Sequence, residues 1–119
     1  MITSIAFTVY PVANMARSRS FYENVLGLTA SATFGDAWTE YDVGGSTFAI
    51  TTTDMGHPPG AKGAVIAFEV ENLDAFVAAL KEKSVRFVTE LFDTPVCRMT
   101  VIEDPDGNHI TIHKRHEPA

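Results

Sequence analysis

The chain has 119 residues, 45% of them hydrophobic and 20% charged, which excludes a disordered chain and suits one domain. A formal net charge of -6 argues against a nucleic-acid partner, since neutralising phosphate needs Lys and Arg. Cys97 is the single cysteine, so no internal disulfide forms; no basic leader or membrane-length apolar run is present, and the sequence predicts a cytoplasmic protein with no membrane partner.

Ile5 to Val12 is rich in β-formers and reads as a strand. Asn14 is placed to cap a helix in which Phe21, Tyr22, Val25 and Leu26 recur at helical spacing and which Gly27 ends. Strands follow over Leu28–Phe34, Ala37–Val43 and Ser46–Thr52, the last two joined by the Gly44-Gly45 hairpin signal. Residues 54–62, with Gly56, Pro58, Pro59 and Gly60, form a loop.

The pattern then restarts. Gly63–Glu71 reads as a strand, Asn72 as a second cap, and Leu73, Phe76, Val77 and Leu80 as the apolar stripe of a second helix. Arg86–Asp93, Val96–Glu103 and Asn108–Lys114 read as strands, with a turn at Asp104–Gly107. The fold class is therefore α+β: one domain over 1–119, with module one about 1–53 and module two about 63–114, each running β-α-β-β-β. The tail from Arg115 is expected to fray.

Hairpin pairing assigns strand faces. Around Gly44-Gly45, Thr39, Tyr41, Phe48 and Ile50 share one face; Trp38, Glu40, Ala49 and Thr51 share the other. A four-residue turn at Asp104–Gly107 places Arg98, Thr100 and Ile102 beside His109, Thr111 and His113. Met99, Val101, Ile110 and Ile112 then make an apolar face for the helix. On that register Glu69, Arg98 and His113 meet, either as an ion-pair network or as groups that orient a ligand or exchange a proton. Cys97 falls beside Met99 as a small buried hydrophobe.

Ser20-Phe21-Tyr22-Glu23-Asn24-Val25-Leu26-Gly27-Leu28 resembles the first-helix signature of the vicinal-oxygen-chelate superfamily (glyoxalase, bleomycin resistance protein, dioxygenase). Asp104-Pro105-Asp106-Gly107-Asn108 resembles its terminal hairpin. The resemblance implies concave half-barrel sheets with helices outside, and a homodimer. It places the family's metal ligands at Phe7, Ala49, Val65 and Thr111. Phe, Ala and Val carry no donor atom and Thr only a weak neutral one, so no metal ligand and no cofactor are expected. Pro11 stands where glyoxalase I carries a substrate-binding arginine, which argues against glutathione adducts.

Two functions remain open. One is metal-independent binding of a small molecule, as a drug- or metabolite-sequestering protein, with Phe7, Val9, Trp38, Glu40, Thr51, Val65, Glu69, Arg98, Thr111 and His113 lining the site. The other is an enzyme of the same superfamily, a lyase, isomerase or dioxygenase-like catalyst, using His113 and Glu69 as catalytic groups or a non-family metal site at His109 and His113.

Overall fold

In a computed structural model of the chain, described over residues 1, 3–54, 57–60 and 65–116, two compact units divide at Gly60. The element order is β1 (Thr8–Pro11), α1 (Met15–Ser20), β2 (Ala30–Phe34), β3 (Trp38–Val43), β4 (Ser46–Thr51), β5 (Ile66–Glu69), α2 (Leu73–Glu82), β6 (Arg86–Phe87), β7 (Phe92–Asp93), β8 (Cys97–Glu103) and β9 (His109–Arg115). The expected strand start at Gly63 and the last three residues of the tail lie outside the described residues.

Module one is a four-stranded sheet in the order β1-β4-β3-β2, with β1 parallel to β4. Asn14 opens α1 as expected, its side chain accepting from the Arg17 amide at 2.9 Å. Such a cap satisfies an otherwise orphaned helix donor and is worth about 1 kcal/mol. The sequence predicts one helix to Leu26. Instead α1 gives way at Phe21 to a π-helical turn over Phe21–Val25, closed by Leu26 N–H on the Phe21 carbonyl at 3.0 Å.

That turn buries Phe21 and Tyr22 against the sheet, where the Tyr22 ring meets those of Tyr41 and Phe48. The Glu23 carboxylate accepts from Arg19 Nε at 2.6 Å and from the Tyr41 hydroxyl at 3.0 Å, tying helix to sheet. Burial first, and Glu23 second, push the Tyr41 phenol well above its ordinary range.

Gly44 and Gly45, at φ 59° and 86°, form the two-residue turn that the β3–β4 hairpin requires. The register is the expected one: Tyr41 opposite Phe48, Thr39 opposite Ile50, Glu40 opposite Ala49 and Trp38 opposite Thr51.

Module two repeats the plan with β5-β9-β8-β6, β5 parallel to β9, and β7 on β8. Asn72 caps α2 by accepting from the Ala75 amide at 3.0 Å. Leu73, Val77 and Leu80 are buried, as the stripe predicts.

Two expectations fail here. The strand over Arg86–Asp93 is broken into β6 and β7. Between them Thr89 substitutes its side chain for a ladder partner: its hydroxyl oxygen accepts from the Val101 amide at 3.0 Å, while its carbonyl accepts from the Thr100 hydroxyl at 2.9 Å. Local side-chain bonds of this kind compete with the ladder.

The second failure is the last hairpin. Asp104 and Asn108 close a three-residue loop, with Asn108 O accepting from Asp104 N at 2.9 Å and Gly107 at φ 85°. Asp104 Oδ1 also accepts from the Asp106 and Asn108 amides at 2.9 and 2.8 Å, which fixes that loop length. Pairing therefore runs Ile102 to Ile110, Val101 to Thr111, Thr100 to Ile112, Met99 to His113 and Arg98 to Lys114. It is one residue away from a four-residue turn, and one residue exchanges every face of β8. Thr100 and Ile102 are buried with Ile110 and Ile112; Met99 and Val101 stand with His113 and Thr111.

Candidate functional site

Each sheet has one face against its helix and one open face. The parallel pairings show that the open faces correspond: Val9 pairs with Ala49 in module one as Ala67 pairs with Thr111 in module two. By the same registers Trp38 corresponds to Met99, Glu40 to Val101, Thr51 to His113 and Pro11 to Glu69.

The open face of module one is aromatic. Phe7 alternates with Val9 and sets its ring edge-on to Trp38, centroids 5.3 Å apart. Trp38 donates its indole N–H to Glu40 Oε2 at 2.9 Å, which fixes the ring plane and leaves Glu40 Oε1 with no side-chain partner among the described residues. Ala49 is fully buried as the floor between Val9 and Glu40. Thr51, expected to line the site, spends its hydroxyl elsewhere, donating to the Ala37 carbonyl at 2.7 Å and accepting from the Thr53 amide at 3.0 Å.

Phe34 was not singled out by the sequence. A bulge between Ala30 and Ala32 shifts the parity of β2, so that Phe34 pairs with Trp38 and stands on the open face, 62% exposed. The signal was a terminal aromatic on a strand whose bulge no residue announces.

The open face of module two is aliphatic with a titratable end. Val65 and Ala67 are exposed and lead to Glu69 along β5. Glu69 Oε1 lies 2.5 Å from His113 Nδ1, and Oε2 accepts from the Arg115 amide at 2.8 Å. The Arg115 N–H first, then His113, hold the Glu69 carboxyl below the usual carboxylate range.

Arg98 is absent from this group. It faces the helix side, where it donates to Asp74 of α2 at 2.9 Å and lies 3.7 Å from Asp93. The expected Glu69–Arg98–His113 set is therefore a Glu69–His113 pair. Cys97 is buried as expected and shares a side with Met99, but that side is the open one, where its sulfur lies 3.0 Å from the Thr94 hydroxyl. His109 stands 3.9 Å from Glu103 and does not meet His113.

The four places that the resemblance assigns to metal ligands carry side chains that do not fit a divalent cation. Phe7, Ala49 and Val65 offer no donor and Thr111 only a neutral hydroxyl. Among the described residues, no three His, Cys, Asp or Glu side chains gather as a metal site. A cavity of about 590 Å³ lies at the Pro11–Thr51 end of the open face of module one, next to Val12, Thr52 and His57, and one of about 450 Å³ lies on the helix side of module two, between α2 and the β6–β7 bend. Among the described residues no helix is long and apolar enough to cross a membrane.

Tandem βαβββ modules, each with a helix-covered face and an open one, define a paired-module α+β protein. The chain belongs to the glyoxalase/bleomycin resistance protein/dioxygenase superfamily, whose family model matches residues 4–112. No curated protein matches its sequence.

Among solved structures it is similar to TnmS3, an antibiotic-binding protein from Streptomyces sp. CB03234, with a TM-score of 0.82, 23% identity, and 97% of this chain and 98% of that one covered. A glyoxalase/bleomycin resistance protein from Albidiferax ferrireducens T118 gives a TM-score of 0.75 at 24% identity, covering 94% and 98%. Lactoylglutathione lyase from Agrobacterium tumefaciens gives 0.76 at 15% identity, covering 95% and 94%. These likenesses establish the fold, which hosts a binder and an enzyme alike.

Proposed function

We propose that the protein binds a small molecule without a metal, in the sequestering manner of the drug-binding branch of its superfamily, with the open face of module one as the recognition surface. The observation that carries this reading is the Phe7–Trp38–Glu40 arrangement: an edge-packed aromatic pair whose indole is fixed by a carboxylate. Binding requires a complementary surface with a few placed polar groups, and no activated one. Phe7, Val9 and Phe34 supply apolar area, Trp38 a stacking plane, and Glu40 Oε1 a negative group beside it.

That pairing favours planar cationic ligands. A cation over an indole gains about 0.5–2 kcal/mol, and the neighbouring carboxylate adds to it. The likeness to an antibiotic-binding protein supports small-molecule binding. Phe7, Ala49 and Val65, which have no donor atom, and Thr111, which has only a neutral hydroxyl, support metal independence. We also propose a homodimer, supported by the exposed apolar Phe34 and Val65; a monomer mass by light scattering would remove that part.

Trp38 is the sole tryptophan, so its emission reports on the face directly. A planar cationic dye such as acridine orange should quench it saturably. Glu40→Gln should weaken binding about tenfold, the loss expected for one charge-assisted contact. No response across a panel of cationic and neutral aromatics would remove the reading.

A further inference from the structure

The carboxylate–imidazole pair on module two has a direction. A carboxylate only accepts, so the 2.5 Å contact with Glu69 Oε1 requires the proton of a neutral His113 ring to sit on Nδ1. Nε2 then carries the lone pair. It has no partner among the described residues, and the His113 side chain, 23% exposed, stands on the open face.

Within module two, the described residues that face the ring are few. Glu69 comes from β5, and Met99 stands opposite on β8, with Cys97 and Val101 on either side of it. Thr111 and Arg115 flank it on its own strand, Arg115 being exposed and joined to Glu69 through its amide. Further along, His109 and Glu103 approach each other rather than His113. Among the described residues of module two, Glu69 is thus the charge bonded to the ring, and Ala67, Met99 and Val101 give an apolar bed beside it.

We propose that this face takes ligands bearing a weakly acidic hydroxyl, a phenol or enol of acidity near that of imidazole, and that His113 accepts its proton, with Glu69 as the positioning residue. In the step the ligand O–H bond breaks and an Nε2–H bond forms. The electron pair stays on the ligand oxygen as an oxyanion, facing an imidazolium whose other N–H remains on Glu69. Nothing else is consumed, and the reverse step returns the proton. Proton affinities must be close for such a transfer, which is why an aliphatic alcohol does not serve.

The test uses the full chain, and it reads the His113 ring nitrogens and the phenolate absorbance rather than Trp38 emission, so its failure and that of the module-one reading are distinguishable. Two-bond proton–nitrogen NMR on labelled protein should show His113 with Nδ1 protonated and Nε2 bare. 4-Nitrophenol, whose neutral and ionised forms differ in visible absorbance, should show a several-fold rise in the phenolate band on binding at a pH where the free phenol is mostly neutral. 4-Nitroanisole, which has no proton to give, should not compete. His113→Asn keeps a side-chain N–H for Glu69 but has no base, and should abolish the rise. Glu69→Gln keeps the shape and should reduce it. A protonated Nε2 in the neutral ring, the same phenolate rise in His113→Asn, or no effect of the protein on 4-nitrophenol at millimolar concentration would each overturn the proposal.

Discussion

In module one the open face holds Phe7, Val9, Trp38 and Glu40; at the corresponding places module two holds Val65, Ala67, Met99 and Val101. Where module one has Pro11 beside Thr51, module two has Glu69 beside His113. The opposite faces tell another story. Ile50 and Ile112 occupy the same place in the two sheets, and both are fully buried. Residues under a helix must fill volume at crystal-like density, so both modules use the same kind of side chain there. The open faces carry no such constraint, and their side chains differ: an edge-packed aromatic pair with a carboxylate in one module, a carboxylate–imidazole pair in the other.

The sharpest way to break the comparison is in the cores. Ile50→Ala and Ile112→Ala should each cost about 2–5 kcal/mol, by loss of transfer energy plus the cavity left behind. Urea unfolding should give similar losses; a negligible loss at either position would mean the two sheets are not packed alike. The strand irregularities should differ instead. Thr89→Ala leaves the Val101 amide without its acceptor and should cost about 1–3 kcal/mol. Ser31→Ala at the module-one bulge removes only an exposed 3.2 Å bond to the Glu40 carbonyl and should stay within about 0.5 kcal/mol. Equal effects would contradict the account of how β6 and β7 are separated.

The helix caps sharpen the comparison from the other side. Asn14→Ala and Asn72→Ala should each cost about 1 kcal/mol in thermal or urea unfolding, because each removes one side-chain acceptor from a first-turn amide.

The smallest effect is on acid stability. Glu23 is held below the usual carboxylate range, chiefly by its bond to Arg19 and then by Tyr41, and Glu69 by the Arg115 amide and then by His113. A folded-state pKa that is lowered adds stability above the unfolded value, about 4.3 for Glu, and that stability is lost as pH falls through the folded value. The urea midpoint should therefore fall less steeply on acidification in Glu23→Gln and Glu69→Gln than in the wild type. Glu69 is half exposed and screened, so its change should be the lesser.

Much of this plan is legible in the amino acids. Asn14 and Asn72 mark both helix starts because few residues cap well, and Gly44-Gly45 fixes a hairpin register because only one tight turn suits it. The faces of β3 and β4, and so Trp38 and Glu40, follow directly. Module two was less legible because its last turn is ambiguous. Asp104–Gly107 reads equally as a four-residue turn or as three residues closed by Asp104 and Asn108, and only the bonds of the Asp104 carboxylate decide. That single residue sent Arg98 to the helix side and brought Met99 beside His113. Glu69 and His113 came together regardless, because β5 and β9 are joined by parallel pairing that the hairpin does not set. Phe34 was hidden for the same kind of reason, a bulge at Ser31 with no distinctive residue.

In the proposed function the aromatic face of module one, rather than a metal, receives the ligand. Backbone and indole NMR shifts during titration with acridine orange test it most directly. Changes should concentrate at Phe7, Trp38, Glu40 and Ala49 and stay unaltered by exhaustive treatment with a chelator. Changes confined to His109 and His113, or a response that vanishes with the chelator and returns with zinc or manganese, would contradict it.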